Sequence, residues 1–342
     1  MTELRVTSRV DPSCWNELVR ACHGTVFHSA EWADFVEADQ RGVRGSFYTM
    51  LEADGSVGGL AVGFRAASSR TIAAPFTGSS WLDALPAVPD NNSTTVSCFI
   101  RLLEQHSRRA GDVTFRVGSY ASPGSEAVLE PLGFSLSARL EFELDLTRDE
   151  ASLWMCIDHR RRQRINGAKK AGVEVRELPY AEGVSHLRRL QAASFARISA
   201  RGGPSLAERD WAEADPIAAL ARAGIGRLAG GFVDGICVSA SLFTSFNGVA
   251  YHALSGHDSK GLQTQAPSLV LWEMCRRFKG EGAQRLNFGG CGISALDQSD
   301  PEHGVYSYKR AFGGTRLECA SGEKILRPGA QRAANLLRRV VG

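Results

Sequence analysis

Residues 226–243 read GRLAGGFVDGICVSASLF, two runs of small, β-branched and apolar residues on either side of Asp234-Gly235. An Asp-Gly pair between two such runs predicts a β-hairpin, because both residues tolerate the positive φ angles of a type I′ turn. Residues 47–64 read FYTMLEADGSVGGLAVGF and carry the same pair at Asp54-Gly55, 180 residues earlier. The chain therefore contains one hairpin signal twice.

A second pattern repeats at the same spacing. Residues 126–134, EAVLEPLGF, form a short helical pattern that stops at Gly133, and residues 306–314, YSYKRAFGG, form another that stops at Gly313, again 180 residues on. A strand pattern follows each stop, at 138–144 and at 315–319. Two features in register predict an α/β protein with mixed sheets, made of two tandem copies of one fold.

The segments between these repeats predict further helices and strands. Apolar residues at helical spacing predict helices over 96–110 and 267–279, the second opening with proline. The other predicted elements are strands over 113–117 and 285–288, a long basic helix over 151–171, and an Arg-rich amphipathic helix over 331–341. The copies are expected to join near Leu146, which gives domains over 1–146 and 147–342.

Length and composition agree with two globular domains. The chain has 342 residues, and a domain typically takes about 150. Its hydrophobic fraction of 43% and charged fraction of 23% are those of a globular chain. Lys and Arg number 40 against 37 Asp and Glu, a net charge of +3, which speaks against a bulk polyanion binder but allows a local basic patch.

Cysteine usage and the N-terminus predict a cytoplasmic protein without stable membrane insertion. The eight cysteines are scattered and include no C-x-x-C pair, so neither a disulfide framework nor a metal site is expected. Residues 1–12 contain no apolar core of a secretory signal. The sequence contains no run of 18 apolar residues, the signature of a membrane-spanning helix.

Two clusters in the sequence have both a structural and a functional interpretation. In the segment FHSAEW, 27–32, Ser29 is a good helix N-cap with Trp32 at the third helical position, which favours helix entry and a buried indole. The segment 159–170 is strongly basic, and its charges surround most of a helix. An exposed charged face is the common outcome, and contact with phosphates is the functional one.

Two further clusters carry candidate catalytic side chains. Tyr251 and His252 lie in a strand pattern, where alternation puts them on opposite faces, and His252 is a candidate acid or base near neutral pH unless it is only a hydrogen-bonded strand residue. Tyr308-Lys309 precedes Phe312-Gly313-Gly314. A lysine among aromatic residues places an ammonium beside an oxyanion or a phosphate, or else it is a surface lysine on a packed helix.

Taken in order, these clusters resemble the FemAB-type aminoacyltransferases, which have a double-GNAT fold. The resemblance runs from about Val26 to Arg316. Its pieces are the S-x-x-W entry, a basic R-x-x-I-x-x-A-x-x-x-G-V segment, a Tyr-His strand, a Pro-initiated L-x-W-E helix, a strand ending in F-G-G and a closing aromatic-K-x-x-F-G-G. They correspond to Ser29 and Trp32; Arg162, Ile165, Ala168, Gly172 and Val173; Tyr251 and His252; Pro267, Leu271, Trp272 and Glu273; Phe288, Gly289 and Gly290; and Tyr308, Lys309, Phe312, Gly313 and Gly314.

The resemblance implies two GNAT-like domains and an amide-forming transfer. An acceptor amine, on a cell-wall precursor or a small natural product, would attack an aminoacyl-tRNA, with no cofactor. Lys309 would stabilise the oxyanion, Tyr308 and Phe312 would shape its pocket, and Tyr251 and His252 would orient or deprotonate the amine. The predicted substrate-binding residues are Trp32, Arg160, Arg164, Asn166, Trp272, Asn287, Phe312 and Gly313.

Two departures from the family pattern keep other interpretations open. The segment 185–223 is too short and too interrupted for the long helical arm of bridge-building members, which favours the smaller acceptor. The R-x-x-G-x-A pyrophosphate loop of acetyltransferases is missing, because 259–264 has one glycine and no arginine. An acyl-CoA-dependent N-acyltransferase acting on an amino sugar or small amine is the second interpretation. A non-catalytic double-GNAT binding protein is the third.

Overall fold

A computed structural model describes residues 2–66, 78–200 and 215–341 of the protein. It is a mixed α/β structure with two compact units, Met1–Arg139 with Glu318–Gly342, and Leu140–Leu317. This division differs from the predicted domains 1–146 and 147–342 in two ways. The first unit ends at Arg139, and the C-terminal residues from Glu318 onward group with it.

The N-terminal unit is built on a mixed sheet. Its strands, in spatial order, are β1 (Glu3–Thr7), β2 (Val43–Leu51), β3 (Val57–Ala66), β4 (Ser79–Leu82), β5 (Thr114–Val117) and the second half of β12 (Thr315–Ile325). Its helices are α1 (Pro12–Ala21), α2 (Ala30–Asp39), α3 (Ser93–Arg109), α4 (Ser125–Leu129) and α12 (Pro328–Val341). Gly322–Ile325 of β12 pairs antiparallel with β5, and this pairing brings the end of the chain into the unit. The core lies where Phe99, Ile100 and Leu103 of α3 meet Phe115 and Val117 of β5.

The C-terminal unit repeats the arrangement. Its strands, in spatial order, are the second half of β6 (Ser135–Asp145), then β11 (Arg285–Gly292), β10 (Val249–His257), β9 (Ile236–Phe246), β8 (Gly226–Val233) and β7 (Glu174–Leu178). Its helices are α5 (Glu150–Cys156), α6 (His159–Lys170), α7 (Tyr180–Ser199), α8 (Ile217–Arg222), α9 (Ser259–Gln263), α10 (Ala266–Gly280) and α11 (His303–Arg310). The core lies where Leu271, Met274 and Phe278 of α10 meet Leu286 and Phe288 of β11.

The predicted internal repeat is confirmed. Each unit has an antiparallel hairpin, β2–β3 or β8–β9, and the second turns through Asp234-Gly235 with φ of 51° and 75°. Each then runs through a helix into a parallel strand pair, β4–α3–β5 or β10–α10–β11. Each closes with a short helical segment, a glycine with positive φ (Gly133 at 76°, Gly313 at 77°) and a long strand. Two GNAT-like units in tandem fit this order.

The long helix predicted over 151–171 is wrong, because the chain forms α5 and α6 instead. Ile157 is extended, with ψ of 133°, and ends α5. Asp158 then caps α6, since its carboxylate accepts the backbone N–H groups of Arg160 and Arg161. Asp favours such caps over helix interiors because its short side chain competes for nearby N–H groups. The break fixes which residues of α6 face inward.

The segment 185–223, predicted to lack a long helical arm, is only partly described. Its first part lies in α7 and its last part in α8. Residues 201–214, which include Gly202-Gly203-Pro204, lie outside the described residues.

Candidate active site

Three polar side chains form a row across β6, β11 and β10 of the C-terminal unit. Tyr251 and Asn287 are directly paired in the parallel register of β10 and β11. Glu141 on β6 accepts a hydrogen bond from the Tyr251 hydroxyl at 3.0 Å and another from Asn287 Nδ2 at 2.8 Å. Glu141 and Asn287 are both 0% exposed, and Tyr251 is 6% exposed. The structure thus brings the predicted Tyr251 and Asn287 together around a buried carboxylate.

Glu141 was missed in the sequence, although a signal was present. In the stretch ARLEFEL, alternation puts Leu140, Phe142 and Leu144 on one face of β6 and Glu141 on the other. Such alternation is usually interpreted as an apolar face against solvent. Only the tertiary structure shows that the face carrying Glu141 is also buried.

Lys309 lies at the end of α11 beside the glycines of β11. Its Nζ donates to the carbonyl of Gly290 at 2.8 Å. Gly289 has φ of 70°, and a Cβ built there would lie 3.4 Å from Lys309 Nζ and 3.7 Å from Cε1 of Tyr251. The positive φ angle favours glycine here, while the two distances are those of ordinary van der Waals contact and show how close Lys309 and Tyr251 lie to this backbone. The segment 289–292 ends strand β11.

Tyr308 packs on the guanidinium of Arg161, a residue that sequence reasoning did not select. The Arg161 Cζ lies 4.4 Å from the Tyr308 ring centre, and Nη1 donates to Ser268 Oγ at 3.0 Å. Arg161 is 7% exposed. Burial raises the pKa of Tyr308 to about 12, against the opposing effects of the Arg161 charge and a hydrogen bond with Ser268. Tyr308 is therefore a neutral phenol at neutral pH.

The substrate-binding residues predicted on α6 lie on the surface of the unit. Arg160, Arg164 and Asn166 are exposed, whereas Arg161 faces inward together with Ile165 and Ala168. The spacing of the three inward residues, i, i+4 and i+7, is the helical signal that could have identified Arg161. The exposed residues do not join the Lys309 cluster.

Three other predicted residues of this unit serve packing. Trp272 is 3% exposed, and its ring lies 5.0 Å from that of Trp154. Phe312 is 0% exposed and contacts Phe288, with ring centres 5.7 Å apart. Gly313 has φ of 77°, and a Cβ there would lie 2.1 Å from the Cys156 carbonyl oxygen. Phe312 also packs on Tyr308, with ring centres 5.3 Å apart, so it shapes the aromatic side of the site.

His252 lies on the opposite strand face from Tyr251, as predicted, in an environment that keeps it neutral. Its ring stacks on Phe243 at 4.7 Å, and Nε2 lies 3.2 Å from Ser241 Oγ. Burial, with a smaller contribution from the Lys309 charge, lowers the pKa of His252 to about 3. A base with such a pKa takes up a proton poorly near neutral pH. The environment thus favours hydrogen bonding over acid–base chemistry for His252.

The N-terminal unit contains a separate polar cavity of about 530 Å³. Its polar lining includes Asp83, Arg116, Ser135, Ser137 and Ser321. Trp32, predicted to bind substrate, is buried and does not line the cavity. Its Nε1 donates to Oδ2 of the lining residue Asp83 at 2.8 Å. Burial raises the pKa of Asp83 against the opposing effects of the Trp32 and Trp81 side chains and the Arg116 charge. The predicted cap is also confirmed, since Ser29 Oγ accepts the backbone N–H of Trp32 at 3.1 Å.

The segment in place of a pyrophosphate loop forms the short helix α9. Its amides are engaged locally: Gly261 N–H donates to the Asp258 carboxylate at 2.8 Å, and Leu262 N–H to the Asp258 carbonyl at 3.2 Å. Thr264 N–H donates to the Lys260 carbonyl at 2.9 Å. A pyrophosphate site needs clustered N–H groups that point at the ligand. A carboxylate in this position disfavours a pyrophosphate.

Across residues 2–66, 78–200 and 215–341, three or more His, Cys, Asp or Glu side chains are nowhere arranged to hold a metal ion. Within the same part of the chain, no helix has the length and apolar character needed to cross a bilayer.

Known proteins share parts of this sequence and its fold. The model of the FemAB family matches residues 231–324, which include β9 to β11 and the Lys309 helix. The crystal structure of FemX superposes with a TM-score of 0.76 at 13% identity, covering 97% of this chain and 99% of that one. No curated protein matches the sequence.

Two further solved structures share the fold. A tandem GNAT protein from the clavulanic acid biosynthesis pathway matches with a TM-score of 0.53 at 15% identity, covering 95% of this chain and 99% of that one. The C-terminal domain of a putative lysylphosphatidylglycerol synthetase from Agrobacterium fabrum matches with a TM-score of 0.55 at 12% identity, covering 97% of each chain. The chain is FemAB-like over the matched residues, and it shares the fold of FemX and of a tandem GNAT protein.

Proposed function

We propose that the protein is an amide-forming acyltransferase that moves an aminoacyl group from an aminoacyl-tRNA to an acceptor amine. The observation that carries the proposal is the placement of Lys309, whose ammonium is held at 2.8 Å from the Gly290 carbonyl beside the buried row of Glu141, Tyr251 and Asn287. The FemAB family match over 231–324 includes this whole arrangement except Glu141.

The reaction needs little from the protein beyond positioning and charge. The amine nitrogen attacks the ester carbonyl, a C–N bond forms, and the carbonyl oxygen becomes an oxyanion that the Lys309 ammonium stabilises. The intermediate then collapses with cleavage of the ester C–O bond. The ribose hydroxyl leaves with the proton that the amine gives up. A preorganised cation is worth about 100-fold to 1,000-fold in kcat in such steps.

The donor is proposed to be a charged tRNA rather than a coenzyme A ester. Arg160 and Arg164 on the exposed face of α6 provide cations for the phosphates at the tRNA end. In contrast, the Asp258 carboxylate occupies the segment where a coenzyme A pyrophosphate would need free amides. A modest net charge of +3 suffices, because only the end of the tRNA must be held.

The acceptor is proposed to be a small natural-product amine or part of a cell-wall precursor. Its reacting amine is proposed to donate to the Tyr251 oxygen in the C-terminal unit, where Tyr251 and the ammonium of Lys309 both lie beside Gly289.

The proposal is tested by transfer from charged total tRNA to a panel of amine acceptors. The wild-type protein should form amide product, and Lys309→Ala should lose about 100-fold or more in kcat. Arg310→Ala is the matched control, since Arg310 is the neighbouring exposed cation on α11 and should leave turnover unchanged. Stabilisation by acetyl-CoA without use of charged tRNA would overturn the donor assignment. Wild-type turnover in Lys309→Ala would overturn the role of the lysine.

A further inference from the structure

Glu141 lies at the centre of the buried polar row. It is 0% exposed, its Oε1 accepts from the Tyr251 hydroxyl, and its Oε2 accepts from Asn287 Nδ2. Buried polar groups need hydrogen bonds in place of water. A glutamine would fill the same volume but offers one accepting oxygen and one donating NH₂, so the two accepting oxygens distinguish the carboxylate at this position.

The carboxylate determines which way the Asn287 amide faces. An asparagine side chain has one donating and one accepting end, and Nδ2 donates to Glu141 at 2.8 Å. The accepting Oδ1 is then directed to the backbone N–H of Gly289, at 2.7 Å. Gly289 is thereby held at φ of 70°, and the next carbonyl, that of Gly290, accepts from Lys309 Nζ at 2.8 Å.

The same carboxylate also determines the state of the Tyr251 hydroxyl. A phenol has one O–H to donate, and Tyr251 donates it to Glu141 at 3.0 Å. A hydroxyl oxygen that donates its hydrogen in this way can accept hydrogen bonds through its lone pairs. An amine positions its own lone pair for attack when its N–H groups donate to such an acceptor.

We propose that Glu141 is a positioning residue of the transfer reaction, which fixes both the Tyr251 hydroxyl and, through Asn287 and the Gly289-Gly290 backbone, the ammonium of Lys309. This inference rests on the proposed function, because Lys309 and Tyr251 are the groups that would touch the reactants. Glu141 would affect the site by two routes, one through the Tyr251 hydroxyl and one through Asn287 and the Gly289-Gly290 backbone. The carboxylate itself takes no part in bond making.

The decisive experiment reverses the polarity of one hydrogen bond. In Glu141→Gln only one oxygen remains to accept, so the NH₂ group faces either Tyr251, whose O–H then loses its acceptor, or Asn287, whose amide must then turn away from Gly289 N–H. We expect kcat to fall about 10- to 100-fold with little change in either KM, in line with about 1–3 kcal/mol for one unsatisfied buried group. In the double variant Glu141→Gln with Asn287→Asp, the glutamine NH₂ donates to the new carboxylate, which again accepts from Gly289. Most of the lost kcat should return.

A readout that does not depend on turnover is hydrogen exchange at the Gly289 amide. Exchange that accelerates in Glu141→Gln and returns toward the wild-type rate in the double variant identifies the Asn287 route, and unchanged exchange with a lowered kcat identifies the Tyr251 route. Tyr251→Phe is the matched control, because it removes only the Tyr251 branch and should leave Gly289 exchange unchanged. Thermal unfolding of each variant shows that it is folded.

Two sets of results separate the inference from the function on which it rests. Wild-type protein that transfers nothing from charged tRNA would defeat the proposed function. An active wild type with undiminished kcat in Glu141→Gln would overturn the inference. A double variant that recovers neither kcat nor Gly289 protection would overturn it as well.

Discussion

His252 makes a quantitative prediction about stability and pH. Burial, with help from the Lys309 charge, lowers its pKa from 6.5 to about 3 in the folded protein. A group with a lowered folded pKa of this kind contributes its full stability above pH 6.5, where the imidazole is neutral in both states. The contribution is lost as pH falls from 6.5 toward 3, because only the unfolded chain takes up the proton.

The size of the effect follows from the two pKa values. Between pH 7 and pH 5, the unfolded imidazole becomes almost fully protonated while the folded one stays neutral. Proton binding then favours the unfolded chain by a factor of about 25, or about 2 kcal/mol. The variant His252→Gln keeps a polar side chain opposite Ser241 but cannot titrate. Between pH 7 and pH 5, the free energy of unfolding of this variant should therefore fall by about 2 kcal/mol less than that of the wild type.

The assay is urea unfolding of both proteins at pH 7 and pH 5. The comparison is between variants, so the pH effects of all other groups cancel. His159→Gln is the control, since His159 is exposed and its replacement should leave the pH dependence of stability unchanged. An equal loss of stability in the wild type and in His252→Gln would refute the reasoning. It would show that His252 titrates near its ordinary pKa and return it as a candidate acid or base.

Three further predictions concern the surroundings of the site. Gly313→Ala should lower the melting temperature strongly, because a side chain at φ of 77° is strained and its Cβ would lie 2.1 Å from the Cys156 carbonyl oxygen; an unchanged melting temperature would contradict this. Asp158→Ala should cost about 1 kcal/mol in urea unfolding by removing the cap of α6, and unchanged stability would mean that the cap is dispensable. Arg161→Lys should lower kcat, because an ammonium replaces the planar guanidinium 4.4 Å from the Tyr308 ring; full activity would limit Arg161 to packing.

The sequence by itself determined the repeated architecture of the protein. The Asp-Gly hairpin, the helix opening with Pro267 and the glycine stops at Gly133 and Gly313 are local signals, since each depends on the backbone preferences of a few consecutive residues. The Ser29 cap was readable for the same reason. The ordered motifs drew attention to Tyr251 and Lys309, and the structure places both beside Gly289. The break between α5 and α6 also has a local signal, because Asp158 favours a helix N-cap. The basic residues that follow Asp158 led instead to the prediction of one continuous helix.

Only the tertiary structure decided which polar groups are buried and what they contact. Glu141 and Asp83 look like ordinary surface carboxylates in the sequence, because nothing within a few residues of either records that another part of the fold covers it. The same holds for Arg161. It lies on the inward face of α6, whereas the residue predicted from the sequence, Arg160, is exposed. The low pKa of His252 likewise comes from desolvation by residues distant in the chain. Burial is a non-local property, and in this protein it selects the chemistry of the site.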